Sequence, residues 1–159
     1  MLEKKIKQLK ELQEIIARLK AKGERIVFTN GCFDLLHYGH VQYLEEAKRK
    51  GDILVVALNS DASVRRIKGK KRPLVSQKDR LKVVAALESV DYVVVFEEDT
   101  PLKAIKLLKP DILIKGADWQ KSNIVGGDIV TSYGGRVATV KLSAGRSTTK
   151  LIKKIAKLF

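Results

Sequence analysis

Five short apolar runs, each followed by a stretch of helical character, leave this chain few ways to fold. They are RIVFT (25–29), DILVVAL (52–58), DYVVVF (91–96), DILIK (111–115) and RVATVK (136–141). DILVVAL has no polar alternation after its first residue, the mark of a strand buried on both faces of a parallel sheet. Helices are expected between the runs. One covers 40–50, with Val41, Leu44 and Ala47 on one face and Gly51 at its end. A second runs from a capping box of Ser76 and Asp79 to about Glu88. A third has Pro101 in its first turn and ends before Pro110. Two more are expected at 122–133 and from Ser147 to about Lys157.

Strand–helix alternation of this kind predicts right-handed βαβ crossovers. The expected fold is α/β: a Rossmann-like, doubly wound, five-stranded parallel sheet with helices on both faces. Ahead of it, Leu2, Ile6, Leu9, Leu12, Ile16 and Leu19 predict an amphipathic helix stopped at Gly23. Residues 1–24 therefore read as a helical extension and 25–159 as the one domain. The added helix can pack on its own domain or on a second copy.

A length of 159 residues, 45% of them hydrophobic, suits a single domain with a real core. No apolar run has the length of a membrane span, and the lysine-rich start is not a secretory signal. A lone cysteine, Cys32, excludes an internal disulfide and fits a reducing cytoplasm. The net charge of +14 raises the question of an anionic partner. RRIKGKKR (65–72) holds six basic residues in eight and reads as a basic loop rather than a plain helix face. Such a loop attracts phosphate, on a polymer or on a small molecule.

Ligands of open α/β sheets bind beyond the carboxyl ends of the strands. Four polar or glycine-bearing segments stand there: 30–40, 59–61, 116–119 and 143–149. No G-x-G-x-x-G follows the first strand and no G-x-x-x-x-G-K-[ST] occurs, which argues against a dinucleotide-binding dehydrogenase and a P-loop NTPase. The first segment holds both histidines, His37 and His40, across the expected start of a helix. There both can face one anion beside the free amides. Gly39 between them lets a nucleotide approach the backbone. A zinc site is disfavoured because there is no third histidine. A helix cap and a packing residue is the plainer reading of the pair.

TNGCFDLLHYGH (29–40) resembles the H-x-G-H signature of the nucleotidylyltransferase superfamily. The resemblance continues through KGKKRP, the arginine of SQKDR, KGADW and GRSTT, in the family's order. Within the superfamily, NSDASVRRIKG, FEEDTP and STTKLIKKI look most like the adenylyltransferases that make ADP-heptose, a lipopolysaccharide core precursor, from heptose 1-phosphate. Those are often fused to a sugar-kinase domain, and a stand-alone adenylyltransferase without that domain is expected here. The resemblance implies a transferase carrying AMP from ATP to a sugar 1-phosphate. His37, His40 and Lys68 would be catalytic. Asn30, Gly31, Phe33, Gly39, Arg80, Gly116, Asp118, Ser147, Thr148 and Thr149 would bind the nucleotide. Asn59, Asp61 and Lys71 would bind the acceptor, with Ser60 beside them and Trp119 near the ribose or base. Ser147 or Thr148 is also a good N-cap by type.

No protein metal site is expected, but Mg²⁺ would accompany ATP. The cytidylyl-transferring relatives carry an arginine and a threonine where this chain has KLSAG, which favours ATP over CTP. The runners-up are an FMN adenylyltransferase and a glycerol-3-phosphate cytidylyltransferase. Another class, a basic nucleic-acid-binding module, is disfavoured by 6% aromatic residues. A third is a non-catalytic nucleotide sensor. No nucleic acid or membrane partner is expected. Homodimerisation follows only from the resemblance.

Overall fold

A computed structural model describes all 159 residues. Its strands are β1 (Ile26–Gly31), β2 (Ile53–Asn59), β3 (Tyr92–Phe96), β4 (Ile112–Gly116) and β5 (Arg136–Val140). They form one sheet in the order β3-β2-β1-β4-β5, with every neighbouring pair parallel. The helices are α1 (Leu9–Ala21), α2 (Tyr38–Lys48), α3 (Asp61–Lys68), α4 (Gln77–Ala85), α5 (Leu102–Leu108), α6 (Gly127–Ser132) and α7 (Thr148–Leu158). The doubly wound reading holds, including the burial of β2: Leu54 through Leu58 are all fully buried.

Side chains that alternate along each strand supply two separate cores. Val27, Leu54, Val56, Val93 and Ile114 pack with Leu44 and Ala47 of α2 and Val84 and Ala85 of α4. Ile26, Phe28, Val55, Val94 and Leu113 pack on the other face with α1, α5 and α6. The direction in which successive strands are added to the sheet reverses between β1 and β4. The crevice at their carboxyl ends is therefore the topological switch point, where this architecture binds ligands.

Three local expectations change. The N-terminal helix does not start at Leu2. Residues 2–4 form a 3₁₀ turn, Ile6 makes a parallel bridge to Val93, and α1 begins only at Leu9. Leu2 and Ile6 pack on the α2/α4 face, whereas Leu12 and Ile16 pack on the opposite one. The segment has to pass round the β3 edge, so one straight helix cannot serve both faces. On the way it pairs that edge: Lys7 N donates to Val93 O at 3.0 Å and Val93 N to Lys5 O at 2.9 Å. α1 itself is built into the core, with Leu12 and Ile16 at 0% and 1% exposure. Of its two candidate partners, its own domain is the one it packs on.

The basic stretch is the second change. Its first half is the end of α3, where Arg65, Arg66 and Lys68 lie in the last turn and complement the helix dipole. Ser60 caps that helix by accepting from Ser63 N at 3.1 Å, and Gly69, at φ +99°, ends it. Third, 122–133 is not one helix. A 3₁₀ turn (Lys121–Asn123) is separated from α6 by Gly126, whose φ of +85° breaks the run.

Candidate active site

β1 delivers the chain to the switch point, and α2 leaves it at a corner built by the two histidines. His37 is the N-cap of α2: its Nδ1 accepts from Gly39 N at 3.1 Å. His40 answers, its Nδ1 accepting from His37 N at 3.3 Å. This is a capping box made of imidazoles. The rings lie 4.0 Å apart, tilted by 32°. With both Nδ1 atoms accepting, the hydrogen bonding assigns the proton to Nε2 on each ring. Burial, helped by the nearby Arg146 charge, lowers the pKa of His37. Burial and His37 push His40 down to about 4. Near neutrality the corner therefore offers two uncharged Nε2–H donors beside a helix N-terminus, an arrangement suited to a phosphate. Cap and ligand site are the same structure.

Gly39 serves this corner directly. A Cβ there would sit 2.9 Å from Nδ1 and Cε1 of His37, so glycine makes room for the cap. Gly31 likewise accommodates Phe33, whose Cε2 would be 2.9 Å from an added Cβ. Phe33 is held at φ +48° with its ring 5.4 Å from that of His40, and backs the imidazole.

The cleft above the strand ends has two communicating lobes, of about 480 and 400 Å³. Asn30, Gly31, Phe33, His40, Lys68 and Thr148 line both. Asn59 and Thr149 belong to the first lobe. His37, Gly39, Gly116, Asp118 and Ser147 belong to the second. At Gly116 an added Cβ would meet Asp118 Oδ1 at 2.7 Å, so the tight β4 exit presses Asp118 against the backbone. Trp119 stands half-exposed at the rim shared by the lobes. Ser147 caps α7 by accepting from Lys150 N at 3.1 Å, and Thr148 Oγ1 donates to Leu35 O at 3.1 Å, which ties the start of α7 to the first corner.

Three expected residues are not on the cleft wall. Arg80 is 1% exposed, and its donors go to Val75 O, Cys32 O, Asn59 O and Asp61 Oδ1. It binds together the loops that follow β1 and β2 instead of facing a phosphate. Asp61 is its ion-pair partner at 2.9 Å, in the first turn of α3, and does not face an acceptor. Lys71 is exposed and lines neither lobe. Asp34 is a second hub, its side chain 1% exposed. Burial opposes its ionisation, but the Leu74 and Val75 amides and Arg72 overcome that and hold its pKa below the usual carboxylate value. The carboxylate thereby fixes residues 72–75 over the cleft. At Cys32 burial raises the thiol pKa against the opposing pull of Lys68, Arg80 and Arg72, which disfavours the thiolate.

Sequence reasoning missed Lys115, Arg72 and Arg146, all of which line the cleft. Arg146 lies over the Tyr38 ring, 4.9 Å from its centroid. A lysine closing the apolar run DILIK was the legible signal for Lys115, because a charge at the carboxyl end of a central strand needs a reason. Nowhere do three or more His, Cys, Asp or Glu side chains gather as a metal cluster.

Comparison with known proteins agrees with this geometry. Residues 28–154 match the family described as Cytidylyltransferase-like. The chain is 57% identical over 155 residues to the "Bifunctional protein HldE" of Geobacter metallireducens, covering 98% of this chain and 32% of that protein. The HldE of Magnetococcus marinus is likewise 57% identical, with 31% of it covered. The chain thus spans about a third of the length of these curated relatives. A crystal structure of the "lipopolysaccharide core biosynthesis protein" of Thermoplasma volcanium superposes with a TM-score of 0.64 at 31% identity, over 76% of this chain and 98% of that one. Pantoate-beta-alanine ligase of Francisella tularensis, at 16% identity, shares the fold alone, with a TM-score of 0.63 over 91% of this chain and 68% of that one. With the match running from the first strand into the last helix, the chain belongs to the cytidylyltransferase-like family of nucleotidyltransferases.

Proposed function

We propose that this chain transfers AMP from ATP to the phosphate of heptose 1-phosphate, giving ADP-heptose, a lipopolysaccharide core precursor, and pyrophosphate. The observation that carries the reading is the reciprocal histidine cap: two neutral imidazoles with Nε2–H donors stand side by side at the N-terminus of α2. The sugar-phosphate acceptor rests on the likeness to the HldE proteins and to a lipopolysaccharide core biosynthesis protein.

In this reading an oxygen of the acceptor phosphate attacks the α-phosphorus of ATP. The new P–O bond forms as the bond to the β-phosphate oxygen breaks, and pyrophosphate leaves. A sugar phosphate is a dianion near neutrality, so its attacking oxygen carries no proton and needs no base. His37 and His40 hydrogen-bond the α-phosphate oxygens as charge builds there. Lys68 neutralises the departing pyrophosphate. Ser147, Thr148 and Thr149 hold the nucleotide at the α7 N-terminus, Gly116 and Asp118 flank it, and Asn59 meets the sugar. Mg²⁺ would come with the triphosphate as part of the substrate and would supply charge neutralisation there. No helix of the chain is long and apolar enough to cross a membrane, and the reading takes the reaction to be cytoplasmic.

The test is pyrophosphate release with ATP and heptose 1-phosphate, compared with CTP and with FMN or glycerol 3-phosphate as acceptor. Turnover only with one of the other pairs overturns the reading. Sedimentation tests the dimer, and a steep salt-dependent DNA affinity would revive a nucleic-acid role.

A further inference from the structure

Lys115 stands on the wall that the two lobes share and has no part in the chemistry described above. It is the penultimate residue of β4, next to β1 at the switch point. Its Nζ donates to one acceptor, the Asn30 carbonyl at 3.2 Å, and lies 5.8 Å from the centroid of the Trp119 ring. It belongs to none of the ion pairs in the chain. An ammonium has three donors, and a half-buried one is costly to leave unpaired. Burial holds its pKa down to about 8 against the favourable pull of Cys32 and Asp118. An anion entering the cleft would reverse that penalty.

Neither arginine of the cleft stands on this shared wall: Arg72 lines only the first lobe and Arg146 only the second. Arg72 is bound to Asp34 at 2.6 Å, and Arg146 lies over Tyr38 in the second lobe. With the α-phosphate served by the histidines and pyrophosphate by Lys68, Lys115 is the one remaining cation on the wall that both lobes share. In Asn30, the residue whose carbonyl it holds, Oδ1 is buried without a partner and calls for a donor such as a ligand hydroxyl. A cation and an unpaired acceptor tied to the same residue match a phosphate ester with a free hydroxyl close to it.

We infer that Lys115 is the seat of the acceptor phosphate, holding it on the wall between the lobes so that one oxygen faces the α-phosphorus. This rests on the sugar-phosphate reading above. The variants Lys115→Met, which keeps the length without the charge, and Lys115→Arg test it. Calorimetric titrations of the full chain, loaded with a non-hydrolysable ATP analogue, use heptose 1-phosphate and inorganic phosphate as probes. Lys115→Met should weaken both roughly 10- to 100-fold, the range for losing a charge-assisted hydrogen bond. Affinity for the ATP analogue should change less than about 3-fold, and Lys115→Arg should restore most of the loss.

Unchanged phosphate affinity in Lys115→Met overturns the assignment, as does a loss that falls on the ATP analogue instead. A lowered unfolding temperature with normal phosphate affinity marks a packing role and overturns it too. So does a wild-type chain that binds neither probe. A wild-type chain that binds both probes through Lys115, yet releases no pyrophosphate with heptose 1-phosphate, refutes the proposed reaction and leaves the seat standing.

Discussion

Two helix N-termini face the same cleft, and they are held very differently. α2 enters from the histidine corner with Tyr43, Leu44 and Ala47 buried against the sheet. α7 brings Ser147, Thr148 and Thr149 to the site but buries none of its residues, leaving Leu151, Ile155 and Leu158 in solvent. Burying such side chains is worth about 1.5–3 kcal/mol each, so α2 is anchored by the core and α7 mainly by its cap and the Thr148–Leu35 hydrogen bond. Orientation of the reacting phosphate belongs on the rigid corner. The peripheral one can contribute affinity at little cost to the fold.

The largest way to break this contrast is at the rigid corner. His40→Ala removes a donor and half of the imidazole cap, and turnover should fall roughly 10²- to 10³-fold. Affinity for an ATP analogue should stay within about 10-fold, because the cleft is otherwise intact. Equal loss of binding and turnover would deny His40 a role specific to the reaction.

Asp34→Ala strikes the loop that covers the same corner. It leaves Arg72 and two amides without their buried acceptor, at about 3 kcal/mol, and thermal unfolding should drop by roughly 10 °C. An unchanged unfolding temperature would show that residues 72–75 do not depend on this carboxylate.

Acid sharpens the contrast without mutation. His40 sits at about 4 in the folded chain against an ordinary 6.5. The unfolded chain therefore binds more protons between those values, and stability should decline as pH falls from about 6.5 towards about 4. Denaturant midpoints across that window should slope less in His40→Ala. An identical slope would place the acid-sensitive group elsewhere.

The smallest effect belongs to the peripheral corner. Ser147→Ala removes the α7 cap, worth about 1 kcal/mol locally. Global unfolding should barely move, while amide exchange at 148–151 quickens. A large drop in overall stability would mean that α7 is coupled to the core after all.

The five strands and their parallel pairing were legible, though not their order, because apolar runs between amphipathic stretches favour a buried parallel sheet. The histidine pair was legible too, since two imidazoles in a strand-to-helix turn must share a neighbourhood. Arg80 was misread. A lone arginine after a basic stretch resembles a phosphate ligand in sequence, and only the convergence of Val75, Cys32, Asn59 and Asp61 around it makes it a structural tie. Lys115 was missed for the converse reason: its importance comes from β4 lying beside β1, a contact between residues far apart in sequence.

Local pattern by itself determined the α/β class, the capped helix starts at Ser76 and Ser147, and the cleft at the strand ends. Each depends on hydrophobic period or on hydrogen bonds spanning three or four residues. Tertiary structure alone decided that the N-terminal segment bends round the β3 edge, that α7 stays uncovered, and which cations are free to meet a phosphate. Those outcomes depend on which partners arrive from distant parts of the chain, and the charge of a side chain says nothing about whether a carboxylate has already claimed it.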